Sequence, residues 1–126
     1  MKQKKFSFKS RLNSFKYSFD GFKTFFSDEH NARIHLFIAV VVVLSGFYFK
    51  LSDIEWIFII LCIAFVLFAE LLNSSIENIA DFISPEKHPN IKKIKDLAAA
   101  AVLTSAISSV ITGIIIFFPK LKILIL

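Results

Sequence analysis

Residues 97–118 carry no charged side chain over 22 consecutive positions. A helix needs about 20 predominantly apolar residues to cross the hydrocarbon core of a bilayer. A second uncharged run, 56–69, lies between Glu55 and Glu70 within an apolar segment at 54–72, and a third apolar segment occupies 34–49. The third is short for a span, but Arg33 and Lys50 at its ends can snorkel towards water. Tyr48, Trp56, Phe117 and Phe118 stand near segment ends, where interfacial aromatics gather. With 56% hydrophobic residues over 126 positions and a mean hydropathy of +0.67, the chain reads as a membrane protein. The expected architecture is all-α, a single domain over 1–126 with helices at 33–50, 54–83 and 95–118 that include the membrane-spanning portions.

The charges set an orientation. Lys2, Lys4, Lys5, Lys9, Arg11, Lys16, Lys23 and Arg33 precede the first span, and Lys87, Lys92, Lys93 and Lys95 fall between the second and third. The loop between the first two spans has only Lys50 against Asp53 and Glu55. Positive-inside reasoning puts the N-terminus and the second loop in the cytoplasm of a multi-pass protein of the inner, cytoplasmic membrane. The net charge of +5 is thereby explained by topology, and no nucleic-acid partner is expected. The lysine-rich start is too polar for a cleavable signal peptide. The lone Cys62 sits in an apolar run and reads as a small hydrophobe.

Before the first span, Phe8, Leu12, Phe15, Phe19, Phe22 and Phe26 recur in steps of four and three, with Lys9, Lys16 and Lys23 every seven residues beside them. This predicts an amphipathic helix over 6–27 lying on the inner leaflet; a soluble helix packed on a partner is the alternative. In the last segment Ala98, Ala101, Ser105, Ser108 and Thr112 form a row of small residues that allows close helix approach in lipid. Three spans cannot enclose a polar helix face alone, so a homo-oligomer is expected.

That polar face is Glu70, Asn73, Glu77 and Asp81. At about 100° per residue they share one side of the second spanning helix, beginning at its apolar depth. Pro85 and Pro89 are expected to end this helix. The chain has only Gly21, Gly46 and Gly113, so no phosphate-cradling glycine loop can be written, and His35, His88 and Cys62 make no zinc pattern. What remains is carboxylates with Arg33 and Lys95 near the cytoplasmic edge. Such a set suits phosphoryl transfer, in which carboxylates hold Mg²⁺ on ATP and another takes a proton from an attacking hydroxyl. Glu70 lies where a lipid alcohol arrives and Glu77 where a nucleotide does, about 10 Å further along the axis. Equally open on spacing alone are an ion- or proton-conducting oligomer and a non-catalytic helper subunit glued by its polar stripe. Glu29 and Arg33 fit an i,i+4 ion pair, Lys95 and Asp96 fit helix-start chemistry, His88 a solvated loop, and Tyr17 an interface anchor.

The sequence Glu-Leu-Leu-Asn-Ser-Ser-Ile-Glu-Asn-Ile-Ala-Asp at 70–81 resembles the signature of the small prokaryotic membrane lipid kinases, the diacylglycerol and undecaprenol kinase family. The likeness extends in order through Tyr17, Ser18, Gly21, Glu29, Arg33, Glu86, His88 and Lys95-Asp96 into 98–103. It implies a homotrimer in which each chain has three transmembrane helices and the surface helix. It implies Glu70 as general base supported by Asn73, Glu29 and Glu77 as ligands of the divalent metal on ATP, and Tyr17, Glu86, His88, Lys95 and Asp96 as nucleotide contacts. Direct transfer from MgATP to a lipid hydroxyl, without a phosphoenzyme, is the implied reaction. Ala80 stands where a larger aliphatic is usual, and Ser10 where an Arg is expected, with Arg11 one step on. The stretch from Glu29 to His35, with Glu55-Trp56 and His88-Pro89, is more similar to the undecaprenol branch, since the diacylglycerol branch often has an acid at the place of His35.

Overall fold

The computed structural model describes residues 6–126, and Lys2, Lys4 and Lys5 lie outside the described residues. The chain forms four helices: α1 (Phe8–Asp28), α2 (His30–Tyr48), α3 (Asp53–Ile83) and α4 (Pro89–Ile125). The last three are long and apolar enough to cross a membrane. α4 packs along α3 more extensively than any other pair, α2 packs on α3, and α1 meets α2.

The helix boundaries have local causes. Ser7 caps α1 by accepting from the Ser10 amide at 2.9 Å. Ser52 and Glu55 form a reciprocal capping box at the start of α3. His88 caps α4, its Nδ1 accepting from the Asn90 amide at 3.1 Å, with Pro89 in the first turn. Pro89 therefore opens α4 and does not help end α3, which stops at Ile83 with Ser84 as cap and Pro85 after it. Asp96 pairs with Lys92 in the second turn of α4 at 2.5 Å.

The α4 helix is longer at both ends than the expected 95–118. It continues through Pro119 to Ile125. A proline in a helix interior removes one backbone hydrogen bond. Lys120, on the turn containing that break, is held by an ion pair to Glu55 at 3.1 Å.

The α2–α3 turn is tight. The Leu51 amide donates to Gly46 carbonyl at 3.1 Å and the Lys50 amide to Phe47 carbonyl at 3.3 Å, with Lys50 at φ 53°. This is a Schellman ending with lysine at the left-handed position that glycine usually takes. Gly46 is needed for another reason. A Cβ there would lie 2.6 Å from the Trp56 ring and 3.1 Å from Leu51 Cδ1. Trp56 thus packs inside the hairpin, its ring 4.9 Å from that of Phe47.

The small-residue row of α4 divides. Ala98 and Ser105 are buried within the chain, whereas Ala101 and Ser108 are exposed. The Ser109 hydroxyl donates to the Cys62 carbonyl across the α3–α4 seam at 3.4 Å. Part of the row expected to allow close helix approach is therefore used for packing α4 on α3 within one chain. In α1 the residues Phe8, Leu12, Phe15, Phe19 and Phe22 remain exposed, and Phe25, outside the periodic stripe, is the buried one.

Candidate active site

One face of α3 meets three other parts of the chain in succession. At its apolar end Glu70, 6% exposed, has Oε1 2.9 Å from Nε2 of His35 on α2. One turn on, the Ser74 hydroxyl donates to Glu29 Oε1 at 2.7 Å. At the far end Asp81 accepts from Lys95 of α4 at 2.5 Å. Glu77 lies between the last two contacts, its Oε1 accepting from Asn73 Nδ2 at 3.4 Å. From Glu70 to Asp81 the row is about 16 Å long, at 1.5 Å per residue.

The break between α1 and α2 is what brings Glu29 there. Glu29 has an extended backbone, φ −102° and ψ 116°, and serves as the last cap of α1 and the first of α2. Its side chain leaves the helical path and reaches α3. This is why the i,i+4 ion pair with Arg33 does not form: Glu29 is not inside a helix with Arg33. The Arg33 guanidinium instead donates to the Ser27 carbonyl at 3.4 Å.

Two clefts flank the row. One, about 500 Å³, lies between α1 and α3 and is lined by Ser18, Gly21, Glu29, Ser74 and Asn78, among others. The other, about 590 Å³, wraps the α3–α4 turn and brings together Glu86, His88, Lys95 and Asp96. Tyr17 lines neither cleft and is exposed. Of the residues singled out in the sequence, Glu29, Glu70, Asn73 and Glu77 thus gather along α3, and Glu86, His88, Lys95 and Asp96 gather at the turn. Tyr17 stands apart from both groups in the single chain.

Among the described residues no three His, Cys, Asp or Glu side chains converge as a ready-made metal cage. A Mg²⁺ that arrives with a nucleotide does not require one, since it takes one or two carboxylates and completes its shell with phosphate oxygens and water. The donors in the row are hard oxygens from Glu29, Ser74, Asn73 and Glu77. Among the described residues Asn73 Oδ1 is buried with no hydrogen-bond partner. A buried acceptor in that state suits a cation, or a donor group on a ligand, at that point. The residues present therefore fit the ion.

Two site residues escape a reading of the sequence by type alone. Ser74 looks like a filler between acids, yet it carries the contact to Glu29. His35 looks like a branch marker in an apolar helix, yet its ring pairs with Glu70. The signal for His35 was present: an ionisable side chain within a spanning segment ordinarily has a partner there.

Residues 16–117 match the family described as prokaryotic diacylglycerol kinase. The chain is 44% identical over 93 residues to an undecaprenol kinase of Bacillus subtilis, an alignment covering 74% of this chain and 76% of that protein. It is 34% identical over 108 residues to a diacylglycerol kinase of Haemophilus influenzae, covering 85% and 92% respectively. A diacylglycerol kinase of Synechocystis is 35% identical over 111 residues, 87% of this chain and 63% of that protein.

Proposed function

The chain belongs to the prokaryotic diacylglycerol kinase family and is a lipid kinase, and we propose that it moves the γ-phosphoryl of MgATP directly onto the hydroxyl of a membrane polyprenyl alcohol. The observation that carries this reading is the placement of buried Glu70 on the same α3 face as Glu77 and the Ser74–Glu29 contact. A base at the apolar end of the row meets a lipid hydroxyl. Carboxylates towards the polar end meet a nucleotide. Family membership sets aside the conducting oligomer and the helper subunit.

In this mechanism Glu70 accepts the hydroxyl proton as the lipid oxygen attacks the γ-phosphorus, and the bond to the β-phosphate oxygen breaks to leave ADP. Glu29 and Glu77 would hold Mg²⁺, which would supply charge neutralisation on the nucleotide phosphates. Ser74 fixes the Glu29 carboxylate, and Asn73 fixes Glu77. Glu86, His88, Lys95 and Asp96 at the α3–α4 turn receive the rest of the nucleotide, and Tyr17 joins them from α1. No covalent enzyme intermediate is formed.

A homotrimer is part of the proposal. It is supported by the exposed apolar faces of α2, α3 and α4 and by the separation of Tyr17 from the rest of the site within one chain. The exposed phenylalanine stripe of α1 supports its lying on the inner leaflet, with the N-terminus cytoplasmic in the inner membrane. The polyprenyl acceptor is favoured by the similarity to the Bacillus subtilis protein and by His35.

The test is purified protein in mixed micelles with Mg²⁺ and γ-labelled ATP, offered undecaprenol and diacylglycerol separately. Label is expected in undecaprenyl phosphate at the higher kcat/KM. Equal or better use of diacylglycerol would overturn the acceptor assignment, and label in neither lipid would overturn the reaction.

A further inference from the structure

Glu70 is buried, and among the described residues its one hydrogen-bond partner is the His35 ring, with Nε2 2.9 Å from Oε1. The two side chains come from different helices, and their side-chain exposures are 23% for His35 and 8% for Glu70. The other side-chain contacts along the row go elsewhere: Ser74 to Glu29, Asn73 to Glu77 and Lys95 to Asp81. Among the described residues no other hydrogen bond orients the Glu70 carboxylate.

We infer that His35 is a positioning residue for phosphoryl transfer, holding Glu70 by one oxygen so that the other faces the acceptor hydroxyl. The inference rests on the reading of Glu70 as the base. An ionised carboxylate can only accept hydrogen bonds, so the imidazole proton must sit on Nε2. That donor engages Oε1 and leaves Oε2 for the substrate. It also compensates a carboxylate that burial would otherwise leave without a partner. His35 further lines an apolar cavity of about 350 Å³ between α2, α3 and α4, together with Ile38, Cys62, Val66 and Ser109. The ring is thus the polar end of a greasy recess, and the base it orients stands at the boundary a lipid hydroxyl must reach.

His35→Ala removes the donor and leaves helix α2 intact. The full-length protein in mixed micelles should lose about 10- to 100-fold in kcat, the size expected for a hydrogen bond to a charged group. KM for MgATP should be unchanged. His35→Gln, whose side-chain amide can present an N–H near the place of Nε2, should recover most of the lost kcat. A purely structural histidine would not show this split or this rescue. In a Glu70→Gln background, His35→Ala should cause no further loss, because the group it serves is gone. The assignment of His35 is overturned if His35→Ala keeps wild-type kcat, if His35→Gln is as poor as His35→Ala, or if the double variant falls well below Glu70→Gln. Full turnover by Glu70→Gln alone would instead remove the base assignment, and the role of His35 with it.

Discussion

Ser74 donates its hydroxyl proton to Glu29 across the gap between α3 and the α1–α2 junction, at 2.7 Å. This contact ties the one residue separating two helices to the middle of the acidic row. It brings Glu29, a capping residue by its backbone position, onto the α3 row.

Removing that hydroxyl should therefore be felt by the metal. Ser74→Ala leaves Glu29 free to rotate, and a hydrogen bond to a charged group is worth about 1.5 kcal/mol at the low end of its range. The Mg²⁺ concentration for half-maximal activity should rise about tenfold, with kcat at saturating Mg²⁺ within about threefold of wild type. A Mg²⁺ titration of the variant checks this. An unchanged metal requirement would mean that Ser74 does not support a ligand.

The α2–α3 hairpin gives a prediction about stability. Gly46→Ala would place a methyl group 2.6 Å from the Trp56 ring, too close for any side chain to tolerate without movement. Overpacking of this kind costs about 1–3 kcal/mol. Thermal unfolding in detergent should show a lowered Tm, while an alanine at Gly113, where nothing lies within 4 Å, should leave it nearly unchanged.

Lys95 and Asp81 form a contact whose side chains are 38% and 62% exposed. An exposed pair of this kind contributes about 0–1 kcal/mol to stability. If Lys95 binds nucleotide in its own right, Lys95→Ala should raise KM for ATP about tenfold or more, and Asp81→Asn should change it by less than about threefold. Steady-state kinetics on both variants separates the roles. Equal effects would mean that Lys95 matters only through Asp81.

Much of this was legible in the residues. The three long helices follow from uncharged runs, and the face shared by Glu70, Asn73, Glu77 and Asp81 follows from helical spacing. The gathering of Glu86, His88, Lys95 and Asp96 follows from their closeness in sequence around one turn. What spacing could not supply are contacts made between helices. Ser74 with Glu29 and His35 with Glu70 join residues 45 and 35 positions apart, and no local pattern encodes them. The Glu29–Arg33 ion pair failed for a related reason. It assumed a continuous helix, and the extended backbone at Glu29 breaks it. The α4 helix starts ahead of its expected residue 95 because Pro89, expected to end α3, opens α4 instead. Pro89 is compatible with a first turn, and Pro119 is spanned by a helix that continues to Ile125.

In the proposed reaction the α3 row transfers a phosphoryl group with Glu70 as base. Its most direct test is the initial rate of label transfer from γ-labelled MgATP to undecaprenol by wild-type protein and by Glu70→Gln, with MgATP binding measured on the same samples. Wild type should label the lipid. Glu70→Gln should fall by at least about a thousandfold, an upper-range loss for a general base with a positioning role, and should bind MgATP with near wild-type affinity. Retained turnover in Glu70→Gln, or loss of nucleotide binding together with turnover, would contradict the assignment.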